Sequence, residues 1–224
     1  GQDWFQLGDG DLALHIQLTA KLRAGHQQRA VPAQFAAAWN IGVSILPLSD
    51  DPVATIVTTD EGDLAFQRYF VERRCTPQVS AIRFDGVRTA VAAPGVLEAI
   101  ADPETSAIVI APSNPYLSID PILSVPGISD ALKNSVAPVV AVSPIVGGKA
   151  VKGPTAKLMA ELGRSVSLST IAQHYERLID GLLIDSGDDD STVSVASAAA
   201  DIMMNSLADR ARVARATLAL AQAL

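Results

Sequence analysis

At 224 residues, 49% of them hydrophobic, the chain can bury one α/β core with at most a small insertion. Its formal charge of −7 and aromatic share of 4% argue against a surface built for nucleic acid, an anionic membrane or base stacking. The single Cys75 excludes an intrachain disulfide framework, no apolar run approaches a bilayer span, and no signal segment opens the sequence, so a soluble cytoplasmic protein is expected.

In chain order, Asp9 or Asp11 can cap a helix over 12–24 that stops at Gly25. A second helix over 32–39 carries Phe35 and Trp39 on one face. Short β-rich segments then fall at 43–48, 53–58 and 79–84, with a turn at Asp60-Glu61-Gly62-Asp63 and a short helix over 64–74. From residue 94 the order is helix 94–102, strand 107–111, helix 120–132, strand 139–142, a glycine turn and helix 155–162. A short strand over 165–168, helix 171–178, strand 181–185 and helix 206–223 complete it. The fold expected is α/β: a Rossmann-like, doubly wound, mainly parallel sheet with a small α+β insertion. The expected division is 1–42 as a helical part of the core, 43–93 as the insertion and 94–224 as the Rossmann-like core.

Polar and glycine residues gather at two strand ends. Ser113-Asn114 follows one strand, and Ser143 with Gly147-Gly148 follows the next, where open α/β sheets bind their ligands. The stretch PIVGGKAVKGPTAK lacks the Gly-Lys-Ser/Thr of a P-loop, yet Gly147, Gly148 and Gly153 permit close backbone approach to an anion. Lys149, Lys152 and Lys157 add positive charge there, beside the start of the next helix. A solvated lysine cluster and ordinary turn chemistry account for the same residues. Asp50 and Asp51 are adjacent carboxylates after a β-rich segment, suited to Mg, to an organic ligand or to a turn. His15 and His174 lack ligand-like spacing, GDDDS at 187–191 reads as a solvated acidic loop, and no Ser-His-Asp or CxxC arrangement occurs.

Five stretches in order, DWFQLGDGDLALH, LPLSDDPVATIVTTDEG, FQRYFVERRCTPQVSAIRFDG, APSNPYLSIDPILSVPGI and VAVSPIVGGKAVKGPTAKLM, resemble the 2-phospho-L-lactate transferase family over nearly the whole chain. Bacterial members are described as phosphoenolpyruvate transferases of coenzyme F-420 biosynthesis. The resemblance implies transfer of a phosphoenolpyruvyl or 2-phospholactyl group from a guanosine diphosphate ester to the ribityl hydroxyl of the deazaflavin Fo, with GMP leaving and Mg assisting. It implies diphosphate surroundings at Ser113, Asn114, Ser118, Gly147, Gly148 and Lys149, and a deazaflavin or metal side at Asp50 and Asp51. It also implies a homodimer, and points to no catalytic residue or metal ligand individually.

Members of that family begin with a strand and a GGxGG-type turn followed by acidic residues, and none of this precedes Gly1. The expectation is therefore that the sequence is a fragment, or that residues precede it, and that as it stands it transfers poorly. Two other classes fit the same residues: a relative of the same fold that binds nucleotide-sugars without transferring anything, and a structural protein using its last helix as an interface.

Overall fold

The structure, a computed structural model, describes residues 4–150, 153–189 and 191–224. Two helices come first, Asp9–Arg23 (α1) and Ala30–Ala38 (α2). Asp9 and Asp11 lie inside the first turn of α1, with Gly8 at the cap, so they interact favourably with the helix dipole rather than cap a later start.

A three-stranded antiparallel sheet follows, from Ala54–Thr59 (β1), Gly62–Ala65 (β2) and Val79–Asp85 (β3), in the order β2-β1-β3. The strand expected over 43–48 does not form. Residues 43–46 run exposed without a ladder, Leu48 packs on the main core, and the nearest pairing is a single bridge from Ser49 to Ala92. The segment's β-rich composition describes side chains that suit a pleated sheet, but a strand also needs a partner for its backbone. The short helix expected over 64–74 forms over 66–72: its first residues belong to the end of β2, and it widens into a π-helical turn at Arg68–Glu72, with the Arg73 N–H on the Arg68 carbonyl at 2.8 Å. The wide turn sends Tyr69 into a core with Val57, Leu64 and Val79.

The remainder alternates helices and strands: Val96–Ala101 (α3), Ile108–Ile110 (β4), Asp120–Leu123 (α4), Ile128–Lys133 (α5), Val139–Val142 (β5), Ile145–Val146 (β6) and Lys149–Ala150 (β7). Thr155–Glu161 (α6), Leu168–His174 (α7), Gly181–Asp185 (β8), Ala196–Ala200 (β9) and Leu207–Gln222 (α8) complete the chain. The single helix expected over 120–132 is divided into α4 and α5, because Pro126 lacks an N–H and Gly127 adopts φ +90°. No strand forms over 165–168; the Ser167 hydroxyl instead accepts the Thr170 N–H at 3.2 Å and caps α7.

Strands β4-β5-β8-β9 form a parallel sheet in that order. Val139, Ala141, Leu182 and Ile184 face α5, α6 and α7, packing on Ile128, Leu132, Met159 and Ile171. Val140, Val142 and Leu183 face the other way, onto Val213, Leu220 and Ala221 of α8. Covering both faces explains why β5 and β8 are unbroken apolar runs instead of alternating ones. Each such side chain contributes about 1.5–3 kcal/mol by leaving water. Gly181 lets α8 lie close: a Cβ there would stand 3.0 Å from Leu224 Cδ1. Among the described residues, no helix is long and apolar enough to cross a membrane.

The small sheet is fastened to the large one at Leu117, after β4, and at Leu158 of α6, both of which enter the Tyr69 core. That attachment sets the antiparallel sheet beside the carboxyl ends of β4 and β5.

Candidate active site

The loop after β4 is built around Asn114. Its Oδ1 accepts the Tyr116 and Leu117 N–H groups, each at 3.0 Å, and its Nδ2 donates to Thr155 Oγ1 at 3.0 Å. One side chain therefore shapes the loop and ties it to the start of α6. Beyond it the backbone widens, with the Ser118 and Ile119 N–H groups both on the Asn114 carbonyl at 3.0 and 3.3 Å. Pro115, Tyr116 and Leu117 are buried by that turn while Ser118 stays exposed. Behind the loop, His174 Nε2 meets Asp120 Oδ1 at 2.7 Å, and the imidazole stands edge-on to Tyr116 and Tyr175. Burial pushes both tyrosine hydroxyls above their ordinary pKa, so they remain neutral.

The loop after β5 takes another course. Ser143 is buried and turns the chain by accepting the Ile145 N–H at 3.0 Å. Strands β6 and β7 then form a hairpin whose tip is Gly147-Gly148, at φ +57° and +69°. Two consecutive left-handed residues suit a two-residue hairpin turn and are strained for most side chains. Their N–H groups point to one carboxylate: Gly147 donates to Asp188 Oδ2 at 3.1 Å and Gly148 to Asp188 Oδ1 at 2.7 Å. The acidic loop after β8, which looks like a plain charge run in the sequence, thus supplies an anion to the glycine turn.

Between the β4 loop, the start of α6 and the small sheet lies a cleft of about 300 Å³. Ser113, Asn114 and Ser118 line it, as do Ser143, Pro154 and Thr155. Gly147, Gly148 and Lys149 do not; they belong to the hairpin tip, and Lys149 is exposed. Lys157 donates to the Pro77 carbonyl and to Glu161, each at 2.7 Å, so it braces the small sheet against α6. Lys152 lies outside the described residues. Asp50 and Asp51 are also elsewhere: Asp50 is paired with the Arg29 guanidinium and N–H, and Asp51 accepts the Val91 N–H at 2.9 Å.

The structure adds lining residues that the sequence reading does not single out, namely Phe66, Phe70, Ile202, Met203, Met204 and Asn205. The four-residue spacing of Phe66 and Phe70 is the available signal for the first pair. The others follow β9, an alanine-rich strand with no recognisable pattern. Among the described residues, the cleft lining holds no charged side chain, and no hydrogen-bond partner lies within reach of the Ser113 or Ser118 hydroxyl. Such a wall orients a ligand through hydroxyls, an amide and apolar surface. No three His, Cys, Asp or Glu side chains among the described residues gather as a metal-binding group.

A parallel sheet covered on both faces, with a polar cleft beyond the ends of adjacent strands, defines a class of α/β proteins that bind nucleotides and related ligands. The family model described as 2-phospho-L-lactate transferase CofD matches residues 2–222, and the chain belongs to that family. It is 41% identical over 232 residues to a phosphoenolpyruvate transferase of Kitasatospora aureofaciens, covering 99% of this chain and 72% of that protein. It is 39% identical over 210 residues to a 2-phospho-L-lactate transferase of Halobacterium salinarum, covering 94% of this chain and 60% of that one. Among solved structures, the Bacillus halodurans protein BH3568 matches with a TM-score of 0.67 at 16% identity, over 96% of this chain and 75% of that one. A second crystal structure of that protein, described as a member of the upf0052 family, matches with a TM-score of 0.59. At that identity the likeness concerns the fold.

Proposed function

We propose that the chain serves the transfer of a phosphoenolpyruvyl or 2-phospholactyl group from a guanosine diphosphate ester to the ribityl hydroxyl of the deazaflavin Fo, in coenzyme F-420 biosynthesis. In that reaction the hydroxyl oxygen forms a bond to the phosphorus bearing the three-carbon acid. The bond from that phosphorus to the bridging oxygen breaks, GMP leaves with the bridging oxygen, and the hydroxyl proton is released. A phosphoryl transfer of this kind asks a protein chiefly for aligned reactants and donors around the transferring group. The observation that carries the reading is the family match across residues 2–222, together with a cleft lined by Ser113, Asn114 and Ser118 of one family-like stretch. Magnesium and a homodimeric state belong to the same reading through the family resemblance.

The test is to incubate the protein with the guanosine donor, Fo and Mg, and to follow Fo by mass spectrometry while titrating Fo separately through its fluorescence. Growth of Fo by one phosphoenolpyruvyl or phospholactyl group with release of GMP is the expected result. A protein that binds a nucleotide-sugar and ignores both Fo and the guanosine donor would overturn the reading in favour of a non-transferring relative.

A further inference from the structure

Two phenylalanines form an aromatic part of the cleft wall. Phe66 and Phe70 stack on one another with centroids 5.4 Å apart and 29° between planes. Phe70 is 40% exposed, although the chain contains only five phenylalanines and could have buried this one. Its neighbour Tyr69 is fully buried, and the wide turn that separates the two directions is closed by the Arg73 N–H on Arg68 and the Cys75 N–H on Tyr69, at 2.8 and 2.9 Å. The backbone thus drives one ring into the core and holds the next at the cleft. Widened helical turns of this type recur where a side chain must be aimed at a ligand.

Met203 and Met204 line the same cleft. Thioethers make favourable contacts with aromatic rings and adapt to their outline. Ser118 and Asn205 supply hydrogen-bonding groups on the same lining, which among the described residues has no charged side chain. Flat apolar surface, soft sulfur and a few neutral polar groups suit a planar heteroaromatic ring better than a phosphate or a carboxylate.

We infer that Phe66 and Phe70, with Met203 and Met204, form the seat for the planar ring of a ligand, either the guanine base or the deazaflavin tricycle, and set its orientation relative to the β4 loop. The inference rests on the transferase reading for the identity of those two rings. The seat itself rests on the cleft geometry.

The experiment measures binding of GDP, ADP, Fo and ring-free pyrophosphate to the wild-type protein, Phe70→Ala, Phe70→Leu, Phe70→Tyr and the Phe66→Ala/Phe70→Ala pair. Stacking on one aromatic side chain is worth about 1–3 kcal/mol, so Phe70→Ala is expected to weaken one ring ligand by roughly fivefold or more. Phe70→Leu keeps an apolar side chain of nearly the same volume and should show most of that loss, while Phe70→Tyr should restore binding. Pyrophosphate affinity should stay within about twofold throughout. Loss of GDP with Fo unchanged assigns the seat to the base, and the converse assigns it to the deazaflavin. Ring affinities within about twofold of wild type in Phe70→Leu and in the double variant would overturn the seat while leaving the transferase reading intact. A wild-type protein that takes ADP but neither GDP nor Fo, and loses ADP in Phe70→Leu, would keep the seat and overturn the transferase reading. A wild-type protein that takes no ring ligand overturns both.

Discussion

The loops that leave β4 and β5 start from adjacent parallel strands and carry similar turn residues, yet they spend their polar groups in opposite ways. The β4 loop uses one side chain, Asn114, to organise its backbone, and leaves Ser113 and Ser118 to line the cleft. The β5 hairpin has no side chain at its tip, and both tip N–H groups are turned to Asp188. The first loop is also packed, with Pro115, Tyr116 and Leu117 buried, whereas the tip of the second is at the surface. The difference teaches that glycine content marks where a backbone can meet an anion, without saying which anion it meets. A carboxylate of the same chain fills that place as readily as a ligand phosphate.

The contrast is sharpest in stability. Leu117→Ala should cost about 3 kcal/mol, since a buried Leu→Ala change typically costs 2–5 kcal/mol, and here it also opens the seam between the two sheets. Urea unfolding would measure it, and a loss below about 1 kcal/mol would mean that the loop is not anchored as described. Asn114→Ala removes three hydrogen bonds, each worth about 1 kcal/mol, so a loss of about 3 kcal/mol and a melting point lower by several degrees are expected.

On the β5 side the effects should be small in stability and visible in binding. Asp188→Ala should lower unfolding free energy by about 1 kcal/mol, since two backbone hydrogen bonds at a solvent-facing turn are lost. It should strengthen pyrophosphate binding at least threefold, because two N–H donors lose their internal carboxylate. Unchanged pyrophosphate binding would show that the hairpin amides serve Asp188 alone. The smallest effect concerns Tyr69, whose hydroxyl is buried with no hydrogen-bond partner of ordinary geometry among the described residues. Burial, with the neighbouring Cys75 and Glu161, raises its pKa and keeps it protonated. Tyr69→Phe removes an unpaired polar group and should leave stability unchanged or raise it by up to about 1 kcal/mol; a clear loss would mean that a partner has been missed.

Much of the fold was legible because burial on both faces writes itself into consecutive residues. Val139–Val142 and Gly181–Asp185 could be recognised as interior strands without any partner in view. Ala196–Ala200 could not, since alanine has little preference for strands and its place was decided by pairing with β8. The segment 43–48 shows the reverse error, strand-like residues with nothing to pair with. At the site, Ser113 and Asn114 stood out as turn residues beyond an apolar strand, Ser118 through the family resemblance, and all three line the cleft. Their counterparts at Gly147 and Gly148 were equally prominent, but the carboxylate they meet is 40 and 41 positions away.

By itself, then, the sequence determined the parallel interior, the turn-forming loops at two strand ends and a family likeness spread over five stretches. Those properties are local, because side-chain hydrophobicity and backbone permissiveness act within a few residues. Only the tertiary structure decided that Asn114 reaches Thr155, that Asp188 fills the glycine turn and that Phe66 and Phe70 line one cleft with Met203 and Met204. Each of these joins residues far apart in the chain, and which groups meet across such distances is set by how the two sheets and their helices bury their shared apolar faces.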